Sequence, residues 1–367
     1  MTRHSHGKGA NRLVWSRRHF LRATTGAAIA VLLPGCQRSP PPPPTPLPSG
    51  WTDTQRYKKS PPWRIGRSGR GDINAWMVMF SAHIEFGIME KYGEQFESYV
   101  SHSANWDPNK QVEDIRILLA EGIDVLLIDP MDTTAVATGV REAMHAGVPV
   151  VLAAGGLSAA PYVSWVAIDE EKRGAAAAEW LCDTFGGGRV AVITGTRAAG
   201  DQERWLEGVR HRLDDQPEVE SIIARCPWSS AGAREAMRAL LDQHAAIDAV
   251  IVHNGLLGRG VVEAFVERGD ESPPISGVDD WNGWLRTARE HRVRFFGLSG
   301  GASLGLRAVD LATDILSGVQ VPRYVHFPYK VFDDSALDRY YRPDLSDHYW
   351  AIHDLPEAWI ERMFKPS

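Results

Sequence analysis

Cysteine is scarce in this chain: Cys36, Cys182 and Cys226 are the only three in 367 residues, at no metal-ligand spacing. A disulfide-stapled fold and a zinc-ribbon site are thereby excluded. Cys182 and Cys226 read either as buried thiols or as an export-compartment disulfide. The chain also lacks an apolar run long enough to span a bilayer, because the stretch 23–33 is about half of the roughly 20 residues required. Basic charge is short outside the N-terminus. The first 36 residues carry six basic groups (Arg3, Lys8, Arg12, Arg17, Arg18, Arg22) and no acid; with those six taken from the 40, 34 remain against 46 acids, a formal charge of −12. A body that acidic is no partner for nucleic acid, whose affinity rests on basic contacts to phosphate. The histidines show no H-E-x-x-H spacing, the loop Gly66 to Gly71 lacks G-x-G-x-x-G, and no acid closes the strand near His102. Neither a metal centre nor a dinucleotide cofactor is expected.

What the N-terminus does contain is an address. Ser16-Arg17-Arg18-His19-Phe20-Leu21-Arg22, followed directly by the apolar stretch, resembles the twin-arginine export consensus. Leu33-Pro34-Gly35-Cys36 resembles a lipobox in which Cys36 becomes the lipidated first residue of the mature protein; Pro34 departs from the usual residue there and leaves ordinary signal cleavage as the alternative. The run 39–50, SPPPPPTPLPSG, has the composition of an extended polyproline spacer. Residues 1–36 are thus expected to be a signal and 37–62 a linker, which places the body outside the cytoplasm, tethered to a membrane at Cys36.

The stretch Ile123 to Leu152 reveals the architecture of the body. An apolar run too short for a helix ends in Asp129-Pro130, and Ala135, Val136, Val140, Ala143 and Met144 then recur at helical spacing. Asp132 or Thr133 is available as N-cap, Gly147 as the stop, and Val148 to Ala153 follows as a second strand. This is a β-α-β unit, whose strands lie parallel. The same alternation runs from Trp63 to Leu316, about ten strands and nine helices, including a helix with Ile84, Ile88, Tyr92, Phe96 and Tyr99 on one stripe. The expected fold is α/β, two doubly wound parallel-sheet lobes with a hinge. Ligands of such sheets sit beyond the carboxyl ends of strands, where Asp129 falls.

Ile128-Asp129-Pro130-Met131-Asp132, Ala146-Gly147-Val148-Pro149-Val150-Val151, Val252-His253-Asn254, Gly277-Val278-Asp279-Asp280 and Leu304-Gly305-Leu306-Arg307-Ala308-Val309 carry a more specific signal in their order and spacing. From Trp63 to about Phe332 the chain resembles the type I periplasmic solute-binding proteins, the ribose- and galactose-binding group that serves sugar ABC transporters. The resemblance implies three crossings between lobes, with an N-terminal lobe of 63–163 plus about 299–325 and a C-terminal lobe of 164–298 plus about 326–334. The aromatic tail 335–367 should pack on the body. It further implies ligand contacts at Asn74, Trp76, Asp129, Arg204, Trp228, Asn254, Asp279 and Ser299. Planar amides and carboxylates pair with adjacent hydroxyls, and indole faces cover C–H patches. For Asp129 and Asp279 helix capping is the competing role, and for Trp76 and Trp228 it is core packing. Where sugar-binding relatives carry an Asp-Arg pair after the fourth strand this chain has Ala154-Gly155, which opens the ligand range to polyols and modified sugars.

Gly301-Ala302-Ser303-Leu304-Gly305 matches the G-x-S-x-G elbow, yet no β-α alternation follows Leu316 to present an acid and a histidine, so an α/β hydrolase using Ser303 is a remote alternative. A repressor of the same fold would need a basic helix-turn-helix where the export signal stands. The expected function is that of a monomeric, non-enzymatic receptor that captures a small polar ligand and delivers it to an ABC permease in the membrane. The alternative is a ligand-sensing partner of a membrane histidine kinase.

Overall fold

A computed structural model describes residues 49–71, 74–185, 187–196 and 200–366. The export signal and Cys36 lie outside the described residues. In chain order the elements are β1 (Trp51–Thr52), β2 (Trp63–Gly69), α1 (Ala75–Phe86), β3 (Phe96–Ser103), α2 (Pro108–Ala120), β4 (Val125–Asp129), α3 (Thr134–His145), β5 (Val150–Ala153) and β6 (Ser164–Ala167). Then come α4 (Glu170–Phe185), β7 (Gly188–Gly195), α5 (Gly200–Asp214), β8 (Val219–Cys226), α6 (Ser230–Gln243), β9 (Ala249–Val252), α7 (Gly255–Arg268), β10 (Ile275–Val278), α8 (Asn282–His291) and β11 (Phe295–Leu298). The chain closes with α9 (Leu304–Leu316), β12 (Val321–Pro322), β13 (Tyr324–His326), β14 (Val331–Asp333), α10 (Leu337–Tyr340) and α11 (Glu357–Phe364).

Two six-stranded sheets form the lobes. The first has the order β13-β6-β5-β4-β2-β3, all parallel; the second has β14-β11-β10-β9-β7-β8, parallel except for β14. Strand β4 is buried at every residue, as its unbroken apolar run requires of a strand covered on both faces. Helices α1 and α9 cover one face of the first sheet and α2 and α3 the other. In the second lobe α4 and α5 oppose α6, α7 and α8. In each sheet the chain runs outward one way and then the other, so strand order reverses between β2 and β4 and between β7 and β9. Those are the switch points where the carboxyl ends of parallel strands open a crevice.

The chain passes between the two sheets at 168–169, at 299–303 and at 327–330. The first boundary falls later than 163/164, because β6 pairs in parallel with β5 and belongs to the first sheet. An apolar run alone does not say which sheet it joins. The stripe assigned to one helix through Phe96 and Tyr99 is broken: α1 ends at Phe86, a wide turn follows over Gly87–Lys91, and Phe96 begins β3. The linker also ends earlier than residue 62. Trp51 and Thr52 pair with Pro322 and Val321, and the Thr54 hydroxyl donates to the Val319 carbonyl at 2.6 Å, so the chain is built into the first lobe from β1 onward. At α3 the cap is Thr133, whose Oγ1 accepts from the Val136 amide at 3.2 Å, while Asp132 instead accepts from the Ser158 hydroxyl at 3.2 Å.

The tail joins the lobes a fourth way. The Asn282 amide donates to the carbonyls of Arg342, Leu345 and Ser346, fixing the tail to α8 of the second lobe. On the first lobe, the Asp354 amide donates to His83 Nε2 at 3.2 Å and Trp359 meets Phe86 edge-on at 5.6 Å. Buried between are Leu345, Tyr349, Trp350, Leu355 and Ile360.

Candidate functional site

Each expected residue stands at a strand end or helix start. In the first lobe, β2 runs out at Gly69, and Arg70 turns back across the neighbouring strand end to Asp129. Its Nε donates to Oδ2 at 2.8 Å and its Nη2 lies 2.8 Å from Oδ1, a bidentate pair whose acid is fully buried. Asp129 is held from behind as well. The Gln111 side chain donates to the Asp129 carbonyl at 2.9 Å and accepts from the Met131 amide at 3.0 Å. The Arg70 guanidinium also lies 5.7 Å over the Trp106 ring. Asp129 is therefore met by a basic partner that sequence reasoning did not single out.

Asn74 is the N-cap of α1, its Oδ1 accepting from the Met77 amide at 2.9 Å. This leaves its amide donors for other use. Trp76 is half-buried, stacked on Phe80 at 5.0 Å, and its indole N–H donates to the Gly300 carbonyl at 2.7 Å. That bond ties α1 to the second crossing. Ser299 belongs to the crossings too: its amide donates to the Lys330 carbonyl at 2.8 Å, and its Oγ accepts from the Lys330 amide at 2.8 Å. Its geometry is that of a stitch between the second and third crossings.

The second lobe contributes a denser charged group. Arg204 on α5 places Nη2 3.6 Å from Asp169, in the first crossing. One turn along α4, Arg173 donates to the His253 carbonyl at 2.6 Å and lies 3.2 Å from Glu170. The His253 ring packs between Trp205 and Trp228, at 4.8 and 5.0 Å. Burial first, and the nearby Arg173 cation second, hold this imidazole neutral, well below its usual range. Trp228 is half-buried, its N–H donating to the Thr196 carbonyl at 3.2 Å. Asn254 caps α7, its Oδ1 accepting from the Leu257 amide at 3.1 Å.

Asp279 is delivered by a kink in β10. Gly277 takes φ +85 where the register with β11 shifts, and a Cβ there would lie 2.1 Å from the Val252 carbonyl oxygen, so only glycine fits. Asp279 is 4% exposed and its Oδ1 has no hydrogen-bond partner. The amides of Gly255 and Trp281 lie close enough to favour its charge, but neither makes a bond of good geometry to Oδ1. Burial, with Asp280 beside it, pushes the carboxyl up to about 7 against the opposing pull of Arg173. Asp201, in the first turn of α5, is likewise pushed to about 7 by burial; Arg70 and Arg204 oppose this, while Glu170 and Asp129 add to it.

Asp201 thus feels both lobes at once: Arg70 and Asp129 on one side, Glu170 and Arg204 on the other. The arrangement brings Asp129 and Arg204 into one electrostatic neighbourhood, with Asp279 reached through Arg173. Trp76 and Ser299 belong to the crossings. Arg70, Glu170, Arg173, Asp201 and His253 were not among the contacts expected from the sequence. Arg70, His253 and Asp201 follow from the strand-end and helix-start rule; Arg173 does not, because its long side chain reaches back from within a helix. A separate hollow of about 390 Å³ on the outer face of α6 and α7, lined by Arg238, Asp242 and Glu267, lies remote from this chemistry. Among the described residues no three potential metal ligands cluster.

The ribose import binding protein of Bacillus subtilis (strain 168) is 28% identical over 253 residues, covering 69% of this chain and 82% of that protein. In fold, the chain matches the ABC transporter solute binding protein from Bacillus halodurans C-125, solved with bound myo-inositol, at a TM-score of 0.69 and 19% identity over 77% of this chain and 98% of that one. It also matches the fructose-binding periplasmic domain of a hybrid two-component system, at a TM-score of 0.68 and 23% identity over 76% of this chain and 92% of that domain. Residues 86–320, more than half of the chain, match the periplasmic binding protein domain family, and the chain belongs to it, a family of extracytoplasmic receptors that bind solutes without transforming them.

Proposed function

We propose that this protein captures a small polyhydroxylated ligand, a sugar, a polyol or a derivative of one, between its lobes and presents the closed form to an ABC permease. The observation that carries the reading is that Asp201, at the start of α5, senses Arg70 and Asp129 of the first lobe together with Glu170 and Arg204. Closure about a hinge is a population shift, so a ligand favours it only by touching both lobes. Asn74 and Asp129 would hold the ligand from the first lobe, with Arg204, Trp228, Asn254 and Asp279 holding it from the second. Trp76 and Ser299 would govern the crossings. The relatives that bind ribose or were solved with myo-inositol support the ligand class.

A thermal-shift screen over pentoses, hexoses and polyols tests the proposal, because anything that binds only the folded form raises its stability by mass action. A concentration-dependent rise for at least one compound is expected; no rise with any of them removes the reading.

A second reading, delivery to a sensor kinase rather than a permease, is favoured by the likeness to the two-component domain. Uptake of labelled ligand that depends on this protein separates the two. Upstream, the twin-arginine route and lipidation at Cys36 would place the receptor at the outer face of the cell membrane. The mass of the mature N-terminus, with or without acyl chains, decides that point.

A further inference from the structure

The charges of the cleft do not cancel. Arg70 is committed to Asp129 by its bidentate pair, Arg204 stands 3.6 Å from Asp169, and Arg173 stands 3.2 Å from Glu170. Lys172 adds a second cation 3.4 Å from Asp169, and pairing these groups off leaves two acids, Asp201 and Asp279, with no ion-pair partner among the described residues. Asp201 senses Glu170, and Asp279 senses Arg173. Asp279 is buried with Oδ1 unpartnered, an acceptor that the fold itself leaves unsatisfied.

We propose, resting on the cleft reading above, that the natural ligand carries a cationic amine as well as hydroxyls, and that Asp201 and Asp279 are the groups that receive its charge. A neutral sugar would displace water from these carboxylates and offer only hydroxyl dipoles in return. Burying an unpaired carboxylate is costly enough that the group takes up a proton instead, which is the tendency Asp279 shows, with the half-buried Asp201 shifted the same way. An ammonium group supplies the missing counter-charge and up to three N–H donors, and charge-assisted bonds are about twice as strong as neutral ones. The body's excess of acids over bases also steers cations toward the protein.

Titration calorimetry at pH 7 with matched pairs tests this: glucose against glucosamine, galactose against galactosamine, xylitol against its terminal amine. The amine of at least one pair should bind about tenfold more tightly than its neutral partner, one charge-assisted contact's worth. Asp201→Asn and Asp279→Asn should each lower that ratio. Neutral members binding as tightly as their amines in every pair would overturn the charge assignment and leave the cleft reading intact. No heat from either member of any pair would overturn both.

Discussion

The two cleft edges are built from the same parts and left in opposite states. On the first lobe the strand-end acid is satisfied: Asp129 has a bidentate guanidinium, and Gln111 bridges its backbone. On the second lobe a strand-end acid one strand further from the switch point, Asp279, is as deeply buried and lacks a bonded partner on Oδ1. One edge is preorganised in the empty protein, and the other is completed by what it binds. Mutations at the first edge should therefore register in stability, and mutations at the second in affinity.

The largest expected effect is at Arg70. Removing it by Arg70→Ala strands a buried carboxylate, and breaking a buried pair in this way costs about 3 to 5 kcal/mol. Denaturant unfolding of the empty protein should show a loss of this size, and Arg70→Ala combined with Asp129→Asn should recover part of it. A variant as stable as the parent would mean that the pair is solvated and that the first edge is not locked.

Asp279→Ala should do the reverse. Affinity for the ligand should fall by about 1.5 to 3 kcal/mol, the range for a hydrogen bond with a charged partner, while the melting temperature of the empty protein stays level or rises. Calorimetry and thermal unfolding on the same preparation give both numbers. Equal affinity in variant and parent removes Asp279 from the site.

A pH series sharpens the contrast. In the folded chain the Asp201 and Asp279 carboxyls sit at about 7, against about 3.9 for an unfolded aspartate, so the folded form holds the extra protons between those limits. Their contribution to stability is complete below about pH 4 and is lost as pH rises to about 7. The melting temperature of the empty Asp201→Asn/Asp279→Asn protein should accordingly gain on the parent's as pH goes from 4 to 7. Parallel curves would contradict the shifts.

The alternation of apolar runs made the fold legible because period and length are local properties. The β-α-β unit around Asp129 needed nothing beyond itself. Partnership is not local: Ser164 to Ala167 reads as a strand in either lobe, and only pairing with β5 assigns it. The site divides along the same line. Asp129, Asn254 and Asp279 could be placed at strand ends because strand ends are visible in sequence. Arg70 and Arg173 were not foreseen, because a long cation can reach several neighbours and the chain does not say which one it chooses. The partner of Ser299 was hidden for a related reason, since the residue that engages its hydroxyl, Lys330, lies on a crossing far along the chain.

The smallest expected effect separates two roles held by one side chain. Asn74 and Asn254 play the same part on the two lobes, each accepting an amide through Oδ1 at a helix start. Alanine at either position would remove the cap, about 1 kcal/mol of stability, and the amide donors together, leaving the loss ambiguous. Aspartate keeps the accepting oxygen and suits the helix N-terminus, while deleting the donors. Asn254→Asp should therefore unfold within about 0.5 kcal/mol of the parent yet bind ligand about 1 kcal/mol more weakly, the net value of one hydrogen bond. Asn74→Asp should behave the same way if both lobes grip the ligand through these amides. If only one of the two loses affinity, the grip is one-sided, and the second asparagine serves its helix alone.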